Sequence, residues 1–297
     1  MRESTLSEPK LRPSRHPDLW AISGGSIDLT RPVVMGILNV TPDSFSDGGE
    51  LPTVEAAVQR AVRLVGDGAG IVDVGGESTR PGAEPVGVDE EIGRVLPLIR
   101  QLADRVGVPI SIDTRKAAVA EAALVAGAKV VNDVSALASD SDLAGVVERH
   151  CAGVVLMHMR GTPKDMRDRT VYDDVAADVA RELGGFADQA QKRGIMPEAI
   201  VLDPGIGFAK TSTQSLQLLG QVEQIRAQGF PVLIGPSRKS FLGALLGVPP
   251  KERAVGTAAA CVVGYQGGAR LFRVHDVAPT VQALAVAHAA RPVSGRR

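Results

Sequence analysis

The sequence predicts an α/β fold, a single (β/α)8 barrel of the TIM type, and three observations carry that expectation. From Val33 onward, short apolar runs alternate with stretches of helical periodicity, the pattern of repeated βα units. Eight such runs occur, enough to close a barrel, whereas an open doubly wound sheet more often stops at five or six strands. A polar residue lies at or just past the end of each run: Asn39, Asp73, Asp113, Asn132, His158, Asp203, Ser237 and Arg273. In a barrel those carboxyl ends converge on one face, where active sites are built.

Taken in order, residues 1–20 (MRESTLSEPKLRPSRHPDLW) carry charges and prolines where a secretory signal would need an apolar core, and are expected to form a loose N-terminal tail. Residues 21–31 contain Gly24, Gly25 and Asp28 and suggest a short hairpin closing the bottom of the barrel. The barrel itself is expected over 21–291, with 292–297 as a C-terminal tail. Its strands are predicted at 33–38, 70–74, 109–112, 129–132, 153–158, 200–203, 231–235 and 270–274. Between them, helical stripes are formed by Val54, Val58, Ala61, Val62 and Val65, by Ile92, Val95, Ile99, Leu102 and Val106, and by Val175, Val179, Leu183, Phe186 and Ala190. Small residues fill 254–264 (AVGTAAACVVG), which suits either a helix packed closely against its neighbours or a subunit interface.

Composition excludes several classes. Among 297 residues, 33 Lys and Arg balance 34 Asp and Glu, so there is no basic field for sequence-independent nucleic-acid binding. A hydrophobic fraction of 44% is ample for a core, yet no run approaches a membrane span. The two cysteines, Cys151 and Cys261, lie far apart without zinc-site spacing and read as reduced core thiols of a soluble, cytoplasmic protein.

The stretch VVMGILNVTPDSFSDGG, Val33 to Gly49, is a buried strand that runs into a polar loop, which places Asn39 at a site. The loops 41–49 and 75–87 contain glycine pairs and polar residues and are candidate glycine-hinged lids. The strand-end residues also have plainer readings. Asp113 suits an N-cap as well as a site, Asp73 beside Gly75 and Gly76 reads as the brace of a turn and is left outside the site, and His158 suits a satisfied buried histidine. R-V-H-D at 273–276 taken alone could be a surface salt-bridge run.

N-V-T-P-D-S-F-S-D-G-G at 39–49, G-G-E-S-T-R-P-G at 75–82, D-P-G-I-G-F at 203–208, S-R-K at 237–239 and R-V-H-D occur in the order found in dihydropteroate synthases of the folate pathway, which the chain resembles from Val33 to Val277. The resemblance implies condensation of 6-hydroxymethyl-7,8-dihydropterin diphosphate with p-aminobenzoate, giving 7,8-dihydropteroate and diphosphate. It assigns the pterin to Asp113, Asn132, Met157, Asp203 and Lys239, and carboxylates suit the paired N–H donors of such a ring. Diphosphate falls to Asn39, Arg273 and His275, and Mg²⁺ to Asn39. p-Aminobenzoate falls to Phe45, Thr79, Arg80, Pro81, Phe208 and Ser240, although Arg80 could be surface charge alone. Catalysis is expected from Asp113, Asp203, Lys239, Arg273 and His275, in a homodimer that takes small-molecule substrates. Pro236 and Ser215 depart from the family pattern and are expected to tilt the Lys239 loop and to loosen a helix start, which bears on substrate affinity and sulfonamide sensitivity. The rivals are a pterin-dependent methyltransferase, which needs no diphosphate corner, and a non-catalytic pterin-binding protein.

Overall fold

The computed structural model describes residues 18–41, 53–79 and 82–290. The chain opens with an antiparallel hairpin, β1 (Leu19–Ile22) and β2 (Gly25–Asp28). Eight parallel strands follow: β3 (Val33–Asn39), β4 (Ile71–Gly75), β5 (Ile110–Asp113), β6 (Val130–Asp133), β7 (Gly153–Met157), β8 (Ile200–Asp203), β9 (Leu233–Ile234) and β10 (Leu271–Val274). Their order, β8-β7-β6-β5-β4-β3-β10-β9, is closed by a parallel bridge between Leu202 and Val232, so the sheet is the expected barrel.

Helices α1 (Val54–Gly66), α2 (Val88–Arg105), α3 (Ala117–Val125), α4 (Leu143–Arg149) and α5 (Val175–Lys192) cover the outside. The ring is completed by α6 (Ser212–Gly220), α7 (Val222–Arg226), α8 (Ser240–Leu246), α9 (Ala254–Gln266) and α10 (Val277–Ala289). Local chemistry starts several of them: the Thr53 hydroxyl accepts from Ala56 N, the Asp174 carboxylate from Ala176 N and Ala177 N, and Thr211 with Gln214 forms a capping box.

Strand parity divides the core in two. Outward-facing residues such as Val34, Leu38, Val72, Val74, Ile112, Val154 and Leu202 join the helices in one cluster. Inward-facing Met35, Ile71, Val130, Val155, Val201, Leu233 and Leu271 form a second, filled from below by Trp20, Ile22 and Leu29.

Several expectations need correction. The hairpin starts at Leu19 and takes in Trp20, fully buried with its indole N–H on Ala199 O at 2.8 Å, so the tail predicted over 1–20 ends too late. On α1 the buried stripe is Ala57, Val58, Ala61 and Leu64, with Val62 turned out to solvent. Strand β9 is shorter than 231–235: Pro231 has no N–H to donate, although its carbonyl accepts from Leu202 N at 3.0 Å, and Val232 makes only an isolated bridge to Leu202. Cys261 is buried as expected, whereas Cys151 is exposed, following α4 in a left-handed turn with φ of 47°.

Candidate active site

The site residues share the inward parity of the lower apolar layer. Two residues beyond Ile71, Val130, Val155, Val201 and Leu271 come Asp73, Asn132, Met157, Asp203 and Arg273, so the same strands that fill the barrel below deliver polar groups above. Asn39 and Asp113 close the layer from β3 and β5. Gly75 lies between them: a Cβ there would stand 3.4 Å from Asn39 Oδ1 and 3.5 Å from Asp113 Cβ, so the missing side chain leaves room for both.

Arg273 is the electrostatic centre. Its Nε donates to Asp73 Oδ2 at 2.6 Å and an Nη to Asp113 Oδ2 at 2.5 Å, while Asn132 Nδ2 donates to the same Asp73 oxygen at 3.2 Å. Burial opposes the guanidinium charge, but Asp73 and Asp113 outweigh it and raise the Arg273 pKa. Burial pushes Asp113 up to about 7, against the pull of Arg273 and with the help of Asp73. Asp203, also buried, is raised by desolvation despite Lys239 and the Gly205 N–H, which donates to it at 2.7 Å.

Lys239 reaches in from the segment after β9. Its ammonium donates to Ile206 O and lies 4.4 Å from the centroid of Phe208, and burial lowers its pKa to about 8 against Asp203. The D-P-G-I-G-F turn beneath it needs glycine: Gly205 has φ of 64°, and a Cβ there would fall 1.9 Å from His158 O. Met157 is buried beside this turn, consistent with an apolar floor.

His275 turns toward Ser237. Its backbone N–H donates to Ser237 Oγ at 3.1 Å, which leaves the hydroxyl proton to donate to Nδ1 at 3.0 Å, so Nε2 carries the ring proton. Burial, with Arg273 and Arg238, drops its pKa to about 3. The imidazole also lines a cavity of about 310 Å³ with Arg60, Arg63 and Arg238. The R-V-H-D run is thus no exposed patch, although its Asp276 does pair with Arg238 at 2.5 Å.

Asp73 belongs to the charged cluster and not outside it, because it shares the parity of Ile71 and points up the barrel. That parity was the signal available in the sequence. Asp113 caps no helix, since the N-cap residue of α3 is Lys116, with no side-chain cap. His158 is the satisfied buried histidine, bonded to Glu182 at 2.9 Å and Lys210 at 3.0 Å. Ser215 Oγ donates to Thr211 O at 2.8 Å, so the helix start is tied and not loosened. Pro236 O accepts from Lys239 N at 3.4 Å within the turn that presents the lysine. Phe45, Arg80 and Pro81, and the whole of 42–49, lie outside the described residues. Thr79 is the last described residue before 80 and 81, and Ser240 is exposed at the first turn of α8.

Such a barrel, with three carboxylates, two amides, an arginine and a lysine at its mouth, has the chemistry to take a small nitrogen-rich ring and an anion. The sequence profile described as pterin binding enzyme matches residues 35–275, and the chain belongs to that family. Its relatives include dihydropteroate synthases: that of Synechocystis sp. is 48% identical over 260 residues, covering 87% of this chain and 90% of the relative. That of Escherichia coli K12 is 44% identical over 266 residues, covering 90% and 94%. Among solved structures, the Yersinia pestis dihydropteroate synthase in a sulfonamide drug complex superposes with a TM-score of 0.88 at 42% identity, covering 92% of this chain and 99% of that one. The Xanthomonas albilineans enzyme with 4-aminobenzoic acid gives 0.86 at 46% identity over the same shares, and with 7,8-dihydropteroate 0.82 at 42% identity, covering 92% of this chain and 100% of that one.

Proposed function

We propose that this barrel is a dihydropteroate synthase, joining 6-hydroxymethyl-7,8-dihydropterin diphosphate to p-aminobenzoate with release of diphosphate. The observation that carries the reading is the layer of Asp113, Asn132 and Asp203 set against Arg273, which offers acceptors to a ring rich in N–H donors beside a cation for its leaving group. Asp203 and Asp113 accept the ring's N–H groups and stabilise positive charge as the C–O bond lengthens. Arg273, with the Nε2–H of neutral His275, receives the departing diphosphate. The aryl amine is already neutral near pH 7 and attacks once the bond has loosened, so no protein nucleophile is needed. Lys239, whose ammonium lies over the Phe208 ring, would reach the pterin's polar edge and the amine. Sulfonamides, mimics of p-aminobenzoate, would compete for that second pocket.

The donor set suits one loosely held hard cation. Asn39 Oδ1 offers a single oxygen, and the described residues contain no cluster of three His, Cys, Asp or Glu able to cage a metal. Mg²⁺ keeps most of its waters and is commonly held through substrate phosphates, so one amide is a fitting share. Bound there, it would neutralise charge on the leaving group.

The reading extends to a cytoplasmic homodimer, supported by two free cysteines and by Leu245, Leu246, Val255, Val263 and Val286, left exposed on α8, α9 and α10. The diagnostic experiment follows diphosphate release from the pterin substrate with and without p-aminobenzoate. Release that depends on p-aminobenzoate and yields dihydropteroate is expected. Pterin binding without turnover would mark a non-catalytic binder, and methyl transfer would mark the rival enzyme.

A further inference from the structure

Resting on that reading, we propose that Lys210 is a positioning residue for the pterin site: from beneath, it grips the turn 204–209 so that Asp203 and Phe208 keep their places when Lys239 turns to substrate. Lys210 is 8% exposed and stands two residues beyond the D-P-G-I-G-F motif, a position at which a lysine reads as surface charge. Its ammonium donates to Phe208 O at 2.9 Å, Gly205 O at 3.2 Å and His158 Nδ1 at 3.0 Å, using all three of its protons.

The turn needs such a hold. Gly205, Gly207 and Ala209 have φ of 64°, 81° and 49°, and Ala209 has no glycine freedom to soften the last. Four carbonyls of the turn are held by side-chain donors. Lys210 takes Gly205 O and Phe208 O, Tyr172 donates its hydroxyl to Ala209 O at 3.0 Å, and Lys239 donates to Ile206 O from the substrate side. Of these clamps, only Lys239 is a group that substrate itself would engage. Once its ammonium bonds to the pterin, Ile206 O loses that donor, and Lys210 with Tyr172 must keep the turn in shape.

A buried ammonium is otherwise a poor choice here. No carboxylate forms an ion pair with Lys210 among the described residues, and an apolar side chain would fill the same core without the cost of desolvating a charge. The groups facing it are Asp203, His158, Glu182, Arg160, Tyr172 and Lys239, with burial dominant and its pKa lowered to about 7. His158 accepts from Lys210 at Nδ1, so its Nε2–H donates to Glu182 at 2.9 Å, and Arg160 holds that carboxylate from the surface. The lysine is therefore aimed by a chain that ends on α5.

The test compares wild type with Lys210→Met, which keeps length and apolar volume but removes every donor. Calorimetry with a pterin lacking diphosphate and steady-state kinetics are both read, beside the melting temperature. The Kd for pterin and the KM for pterin diphosphate should rise roughly ten- to hundredfold, as expected when hydrogen bonds from a charged donor are lost, while kcat falls far less. A merely structural role would lower the melting temperature and the active fraction but leave pterin Kd and KM in place, and that result overturns the proposal. Should Lys210→Met fail to fold, Tyr172→Phe removes a single clamp from the partly exposed side and should raise the pterin KM by about two- to fivefold; no rise overturns it equally. Wild type that binds pterin without turnover would defeat the synthase reading, yet the ratio of calorimetric affinities would still judge Lys210.

Discussion

Arg273 touches two carboxylates and can neutralise one, so the trio with Asp73 and Asp113 keeps a negative charge at the barrel mouth whenever both acids are ionised. This is the charge that a pterin gaining positive character would meet. Asp113 is raised by burial to about 7, and Lys239 is lowered by burial to about 8. Below pH 7 Asp113 therefore takes up a proton and loses its strength as an acceptor, and above pH 8 Lys239 gives up its charge. For a reaction needing the first ionised and the second protonated, kcat/KM for the pterin substrate should rise with pH through about 7 and fall beyond about 8, since this ratio reports groups of the free enzyme. Lys239→Arg should push the falling limb to higher pH. A profile flat from about pH 6 to 9, after correction for ionisation of the substrate phosphates, would remove both groups from the chemistry. At this scale the sequence was legible where a polar residue ended an apolar run, as with Asp113, Asn132 and Asp203, which the strands bring to one inward layer. It failed at Asp73, where neighbouring glycines suggested a turn brace and the alternation from Ile71 was overlooked. It also passed over Lys210, because a lysine beyond a motif reads as surface charge until the fold buries it.

Elements were read more surely than their contacts. Strand positions agree within a residue or two because period-two burial and the polar residue after each run are local properties, and the eight-strand count then leaves a barrel as the natural closure. What lies between neighbouring elements was not visible. The pair Gly75 and Gly76 suggests the hinge of a lid, but both are buried and pinned. Gly76 O accepts from Arg94 Nη1 at 2.7 Å, and Glu77, the next residue, is held by Arg115 at 2.9 Å and Lys116 at 2.6 Å. Lys116 in turn is paired with the fully buried Glu91 of α2. Any hinge in this loop therefore lies beyond Glu77. A Cβ on Gly76 would stand 2.8 Å from Val95 Cγ1 and 3.1 Å from Glu91 Cγ, so the glycine serves the packing of α2 on β4. Gly76→Ala should destabilise the fold by about 1–3 kcal/mol, the usual cost of overpacking a tight core. Denaturant unfolding measures it, and unchanged stability would restore Gly76 as a hinge candidate.

Across the whole molecule, stability and chemistry sit at opposite ends of one barrel. At the carboxyl end, burial is given to charged groups whose pKa values are displaced by it, and each of these costs folding free energy. At the other end the interior is apolar apart from the buried Ser111, with Met35, Ile71, Val130, Val155, Val201, Leu233 and Leu271 stacked in one layer. The hairpin β1–β2 seals that layer with Trp20, and the seal is tight: a Cβ on Gly153 would fall 2.8 Å from Ile22 and 3.1 Å from the Trp20 ring. Trp20 is fully buried, and its single polar atom is satisfied by Ala199 O. Trp20→Ala should thus open a large cavity, leave that carbonyl without its donor, and cost about 3–5 kcal/mol, in the range of aromatic truncations in cores. The site residues stand at least one layer higher on the same strands, and none of them touches the hairpin, so the native fraction should keep kcat and both KM values within about twofold of wild type, as expected when the bottom of a barrel carries stability and the top carries function. Denaturant titration beside steady-state kinetics on the same preparation decides the matter. Lost catalysis in well-folded Trp20→Ala protein would show that the plug also sets the geometry above it, and the separation of the two ends would have to be abandoned.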